Sequence, residues 1–294
     1  MRSRLLFAIV ALAVAVPINA SPLDEAIGLY KEKKYPEARA AFERILAVEP
    51  NNAAACFYLG TTLMRRGDKE AVEDALPWLE KATTLEPTNA TYLADYGGVA
   101  MLVADKRQSP FSSIGLAKKG RDAMEKSLTM DPENMEARVG LWRFYSSAPR
   151  SLGLGDDAKA AVQLEEIRKR DPNRASMLLI DAQLRAKHFG QAFKLCEELL
   201  AKTPDDFFAL FQYARVSIAS GQNLERGLSC LKKYVSLETP SSPGSANLGI
   251  AWLRIGTIEE KLGHPQEARI AYQKALQIQP NDNAAAAALA NLKL

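Results

Sequence analysis

The chain has 294 residues, 47% hydrophobic and 25% charged, an ordinary globular composition that can bury one large core or two smaller ones. Its 38 Lys and Arg nearly balance 35 Asp and Glu, with no basic block, which argues against nucleic acid as a partner. Two histidines and three cysteines leave little material for metal sites or His-dependent catalysis.

In chain order, residues 1–20 read as an export signal: Arg2 and Arg4, an apolar run from Leu5 to Val16, then Pro17-Ile18-Asn19-Ala20 with a small residue at the cut. The run is shorter than the roughly 20 residues of a spanning helix. Cleavage near Ala20 and a periplasmic or secreted product are therefore expected, the alternative being an uncleaved anchor or a buried helix. No cysteine near the cut supports a lipid anchor.

From residue 23 onward one pattern repeats: a small residue, an apolar one four later, an apolar or small one seven later, and Pro at twelve. Ala38-Phe42-Ile45-Pro50, Ala75-Leu79-Ala82-Pro87, Ala160-Leu164-Ile167-Pro172, Ala192-Cys196-Leu199-Pro204 and Ala268-Tyr272-Ala275-Pro280 fit. Gly120-Met124-Ser127-Pro132 and Gly227-Leu231-Tyr234-Pro240 are weaker copies. Offsets of four and seven put these side chains on one helical face, and the proline stops the helix. A first helix precedes each copy, near residues 23–34, 53–66, 89–104, 134–147, 173–187, 206–220 and 247–262. Small residues such as Gly60 and Gly256 let the paired helices approach closely. The spacing predicts an all-α chain with no strand. Cys56, Cys196 and Cys230 are too few and too scattered for a disulfide framework and read as small buried hydrophobes.

The segment from Ala246 to Pro280, with Trp252, Leu253, Gly256, Ala268, Tyr272, Ala275 and Pro280, resembles a tetratricopeptide repeat, whose period is 34 residues. The resemblance runs over residues 23–282 and implies one α-solenoid domain at 21–294, a right-handed superhelix of about seven pairs: 23–50, 53–87, 89–132, 134–172, 173–204, 206–240 and 247–280. Residues 281–294, rich in alanine, would cap the last repeat. Surplus residues over the family period fall at 105–113 and 147–156, with a further segment at 240–245. All are rich in Pro, Gly or Ser and are expected to be loops, either functional or merely tolerated.

Motifs of chemistry are weak. Gly153-Leu-Gly155-Asp-Asp-Ala158 lacks the preceding strand of a dinucleotide site, and Asp156 is better placed as a helix cap. Gly115 to Gly120 has phosphate-loop spacing without the terminal Lys and Ser/Thr, and Ser229-Cys-Leu-Lys232 lacks its companion motifs. His188 and His264 fall in inter-helix turns, and Glu165-Glu166, Glu197-Glu198 and Glu259-Glu260 are expected on solvated faces. No catalytic residue, metal or cofactor is therefore expected.

What the resemblance implies instead is a peptide or helix lying along a concave wall of first helices. Carried over by spacing, the candidate groove residues are Phe57, Thr61, Arg65, Met101, Arg138, Leu141, Tyr145, Met177, Asp181, Arg185, Phe211, Arg215, Thr257 and Lys261. Phe57 and Phe211 have inter-repeat packing as their alternative. The Lys and Asn pairs with which some family members clamp a terminal carboxylate have no counterpart, because Leu23 and Ile27 stand at the first-repeat positions. The expected role is a non-catalytic scaffold of the bacterial cell envelope with a protein or peptide partner. A self-assembling solenoid, and an enzyme using the two inserted loops, are the alternatives.

Overall fold

The computed structural model describes residues 21–65, 70–106, 110–237 and 245–292, so the export signal expected at 1–20 lies outside the described residues. Among the described residues there are helices and turns and no strand. The helices are α1 Pro22–Lys31, α2 Tyr35–Val48, α3 Ala53–Met64, α4 Ala71–Leu85, α5 Ala90–Lys106, α6 Pro110–Met130, α7 Met135–Ser147 and α8 Asp157–Arg170. They continue as α9 Pro172–Arg185, α10 Phe189–Lys202, α11 Phe207–Ser220, α12 Leu224–Leu237, α13 Ser245–Lys261, α14 Pro265–Ile278 and α15 Asn283–Asn291. Contacts divide the chain into two compact units that part between Gln163 and Leu164.

Local chemistry explains the boundaries. Several first helices open on a side chain that accepts a backbone N–H: Ser21 for α1 in a reciprocal box with Asp24, Asn52 for α3, Asn134 for α7, Asp171 for α9 and Asp206 for α11. Second helices α2 and α14 begin instead with Pro in their first turn, where the missing N–H costs nothing. Asp282 caps α15 as expected of a terminal helix.

In the first unit, Phe42, Leu59, Leu79 and Val103 are fully buried, and Phe57 stacks on Tyr92 at 4.4 Å between ring centroids. In the second, Ile180, Cys196, Leu231 and Ile258 form the corresponding interior. Gly256 of α13 sits against the ring of Tyr272 in α14, so that a Cβ there would enter the van der Waals shell of the ring. Gly97 and Gly120 bring α5 and α6 together the same way: a Cβ on either would lie 2.7–2.8 Å from the other's carbonyl oxygen. All three cysteines are free and buried. Burial pushes their thiols up, that of Cys196 to about 12.

Three expectations change. The segment 105–113 is not a simple loop: α5 continues through Lys106 and α6 starts at Pro110, leaving only 107–109 outside the described residues. Proline at the first position of a helix favours this, so the surplus lengthens the hairpin. The segment 147–156 is a connection, as expected, but a structured one. It contains a 3-10 turn at Arg150–Leu152, a left-handed Gly153 (φ 64°) and a buried Leu154, and Asp156 accepts the Lys159 N–H at 3.0 Å. Of 240–245 only Ser245 is described, and it opens α13. Glu259, finally, is not on a solvated face: it is 3% exposed, accepts from Lys232 Nζ at 3.0 Å and pairs with His264 Nδ1 at 2.9 Å. Burial alone would raise its carboxyl, yet those two partners hold it below the usual value. Adjacent Glu260 accepts from the Tyr272 hydroxyl at 2.8 Å.

Candidate protein-binding faces

In the first unit, α3, α5 and α7 each turn one stripe to a shared channel of about 280 Å³. Thr61, Met64 and Arg65 come from α3, Asp95, Gly98, Val99 and Leu102 from α5, and Glu136, Val139, Gly140 and Arg143 from α7. Within each helix these are three or four residues apart, one face of the cylinder. Leu79 and Met124, from the second helices, form part of the lining. Met64, Val99, Leu102 and Val139 give the lining apolar surface, while Asp95 and Glu136 supply negative charge and Arg65 and Arg143 positive. Burial, and then the charge of Glu136, push the Asp95 carboxyl up to about 6, against a smaller opposing pull from Arg65. Arg65 is held at the end of α3 by a 3.3 Å hydrogen bond to the Tyr30 hydroxyl.

In the second unit, α11, α13 and α15 line a wider cavity of about 450 Å³ with Arg215, Ile218, Ala219, Leu253, Arg254, Thr257, Ala284 and Ala288. The Arg254 guanidinium lies 4.0 Å above the ring of Phe211. Its Nη1 is buried and has no hydrogen-bond partner among the described residues. Burial first, and then the like charge of Arg215, lower its pKa to about 10. Arg215 is itself paired, its Nη2 2.5 Å from Asp181 Oδ1 on α9 and its Nη1 3.0 Å from Gln212 Oε1.

Tetratricopeptide repeat profiles match residues 23–90, 146–207 and 249–282, more than half of the chain. The chain belongs to the tetratricopeptide repeat family. Three solved structures are similar to this chain. One from Parabacteroides merdae ATCC 43184 is 16% identical, with 92% of this chain and 96% of that one covered and a TM-score of 0.54. The C-terminal part of a repeat protein from Cytophaga hutchinsonii is 15% identical over 91% of this chain and 99% of that one (TM-score 0.44). PilW, a type IV pilus biogenesis factor, is 16% identical over 91% and 96% (TM-score 0.42). No curated protein matches the sequence significantly.

Against the tetratricopeptide geometry the candidate groove residues separate cleanly. Thr61 and Arg65 lie on the first-unit channel, and Arg215 and Thr257 on the second. Asp181 anchors Arg215, and Phe211 supports Arg254. Arg185 and Lys261 are exposed at the last residues of α9 and α13, and Met177 is half-buried on α9.

Five candidates do not face a groove. Phe57 is inter-repeat core, stacked on Tyr92. Met101 points at Gly120 of α6. Leu141 is 1% exposed, Tyr145 donates its hydroxyl proton to Glu125, and Arg138 is buried against the Pro132 carbonyl and Gln163. The cause in α7 is register: the helix presents Glu136, Val139, Gly140 and Arg143 to the channel, so the 138, 141, 145 stripe turns inward.

Sequence reasoning passed over Asp95 and Arg254. A signal for both was present, since each stands two residues before a close-approach glycine, Gly97 and Gly256. Thr61 and Thr257 both stand one residue after such a glycine, which is why spacing found them.

Proposed function

We propose that this tetratricopeptide repeat protein is a non-catalytic adaptor of the bacterial cell envelope that holds a segment of a partner protein against the first-helix faces of its repeats. The observation carrying this reading is that each unit lines an open channel with residues from three alternate helices, α3, α5 and α7 in the first and α11, α13 and the terminal α15 in the second, apolar and charged side chains together. Apolar area supplies the affinity of such a face and the charges supply orientation. Family membership supports a protein partner. The location outside the cytoplasm rests on the basic start, apolar run and small-residue cut of residues 1–20.

The test is affinity capture from the exported fraction with the chain from Ser21 onward as bait, beside a Leu102→Glu/Arg143→Glu variant. Leu102 is half exposed, so a carboxylate there is solvated and the fold should keep its circular dichroism. A partner retained by the wild type and lost from the variant supports the reading; equal capture by both refutes it. N-terminal sequencing of the exported full-length product should begin at Ser21, and a product still starting at Met1 overturns the assigned compartment.

A further inference from the structure

We propose that the α11–α13–α15 face selects an acidic side chain: one Asp or Glu of the partner segment, flanked by apolar residues, seated on Arg254 beside Arg215. This deepens the reading above and rests on it.

The argument is one of charge balance in a poorly solvated place. Arg215 is already neutralised by Asp181 at 2.5 Å. Among the described residues Arg254 has no such acid. The groups acting on it are Arg215, which repels it, and Tyr234, while the ring of Phe211 lies under its guanidinium. Ile218, Leu253, Ala284 and Ala288 give the cavity apolar walls. A guanidinium buried there with Nη1 lacking an acceptor is a standing cost to the fold. Such local rule-breaking marks functional positions. The aromatic ring lies beneath one face of the cation, and the planar fork of arginine matches a carboxylate. A cavity of about 450 Å³ admits a carboxylate side chain together with an apolar neighbour against Ile218 and Leu253.

The opposite sign at the equivalent place in the first unit sharpens this. Asp95 occupies the same position before its close-approach glycine that Arg254 occupies before Gly256. That position thus carries a carboxylate in the first unit and a guanidinium in the second, and the acidic residue of the partner is assigned to the second.

A random dodecapeptide library displayed on phage, fused through its carboxyl end so that no terminal carboxylate is presented, is selected against the chain from Ser21 onward. The expected result is an enriched class with one Asp or Glu between apolar residues. In the corresponding synthetic amidated peptide, changing that acid to its amide should weaken binding to the wild type about tenfold, as for loss of a charge-assisted hydrogen bond. The same change should cost less than about twofold against Arg254→Met, since the coupled partner is gone. Arg254→Lys, which keeps the charge without the fork, should fall between, and thermal melts establish that both variants are folded. Enriched peptides without a preferred acid, or an equal loss against wild type and Arg254→Met, overturn the proposal while leaving peptide binding intact. No enrichment at all overturns both.

Discussion

Replacing Arg254 by Met should make the protein more stable. In the folded chain the guanidinium is displaced from its ordinary 12.5 to about 10, by burial and then by Arg215. At about 1.4 kcal/mol per unit, that displacement corresponds to roughly 3 kcal/mol by which the folded state disfavours the charged form. Stacking on Phe211 returns about 1 kcal/mol of this, a value typical of a partly desolvated cation over an aromatic face. Methionine keeps the apolar stem and discards the charge, so a net gain of about 2 kcal/mol is expected. Because the folded-state pKa is depressed, the penalty is present at every pH below about 10 and is relieved only above it. Urea unfolding followed by circular dichroism at pH 7.5 measures the effect. For a slope near 2 kcal/mol/M the variant's midpoint should rise by about 1 M. An unchanged or lower midpoint would refute the claim that Arg254 is an uncompensated charge, and with it the physical basis for an acidic partner group.

Two further outcomes follow from the packing and the first-unit channel. Gly256→Ala should cost about 2 kcal/mol through collision with the Tyr272 ring, whereas Gly115→Ala, with nothing within 4 Å, should gain up to about 1 kcal/mol of helix propensity; similar thermal midpoints for the two variants would sink the close-approach reading. Asp95, whose carboxyl titrates near 6 when folded and near 3.8 when unfolded, binds its proton more tightly in the native state, so its contribution to stability increases as the pH falls from about 6 to 4. Asp95→Asn should accordingly be more stable than wild type by up to about 3 kcal/mol at pH 8 and should lack that gain on acidification. Parallel stability–pH curves for the two proteins would show that Asp95 is not the titrating group.

The helix pairs were legible because the signals that carry them are local and repeated. The small, apolar, apolar, Pro series marks the second helices, and a first helix with small residues such as Gly60 and Gly256 precedes each. The length of the α5–α6 hairpin was not legible. Pro110 after a polar stretch reads equally as a loop or as the first residue of a helix, and only the tertiary approach of Gly97 to Gly120 decides for the longer hairpin. The linings of the two channels were legible in part. Where a close-approach glycine sets the rotation of the helix, as at Gly60 and Gly256, Thr61 and Thr257 fell on the channel. In α7 the inward stripe includes Trp142, the close approach of Gly140 is to the Met124 side chain of α6 and was not read from the pattern, and the picks Arg138, Leu141 and Tyr145 turned out to be interior. Glu259 shows the other limit. Its position beside Glu260 suggests a wet surface, but its partners Lys232 and His264 lie on α12 and in the turn before α14, and no helical periodicity reports them.

The fate of the three thiols bears on how such a chain would survive in an oxidising compartment. Disulfide exchange begins with a thiolate that can be reached, and Cys56, Cys196 and Cys230 are closed off by packing and kept protonated by it. In the folded state these thiols stand outside exchange, and the first sign of damage would be a labelled cysteine appearing only when a unit opens.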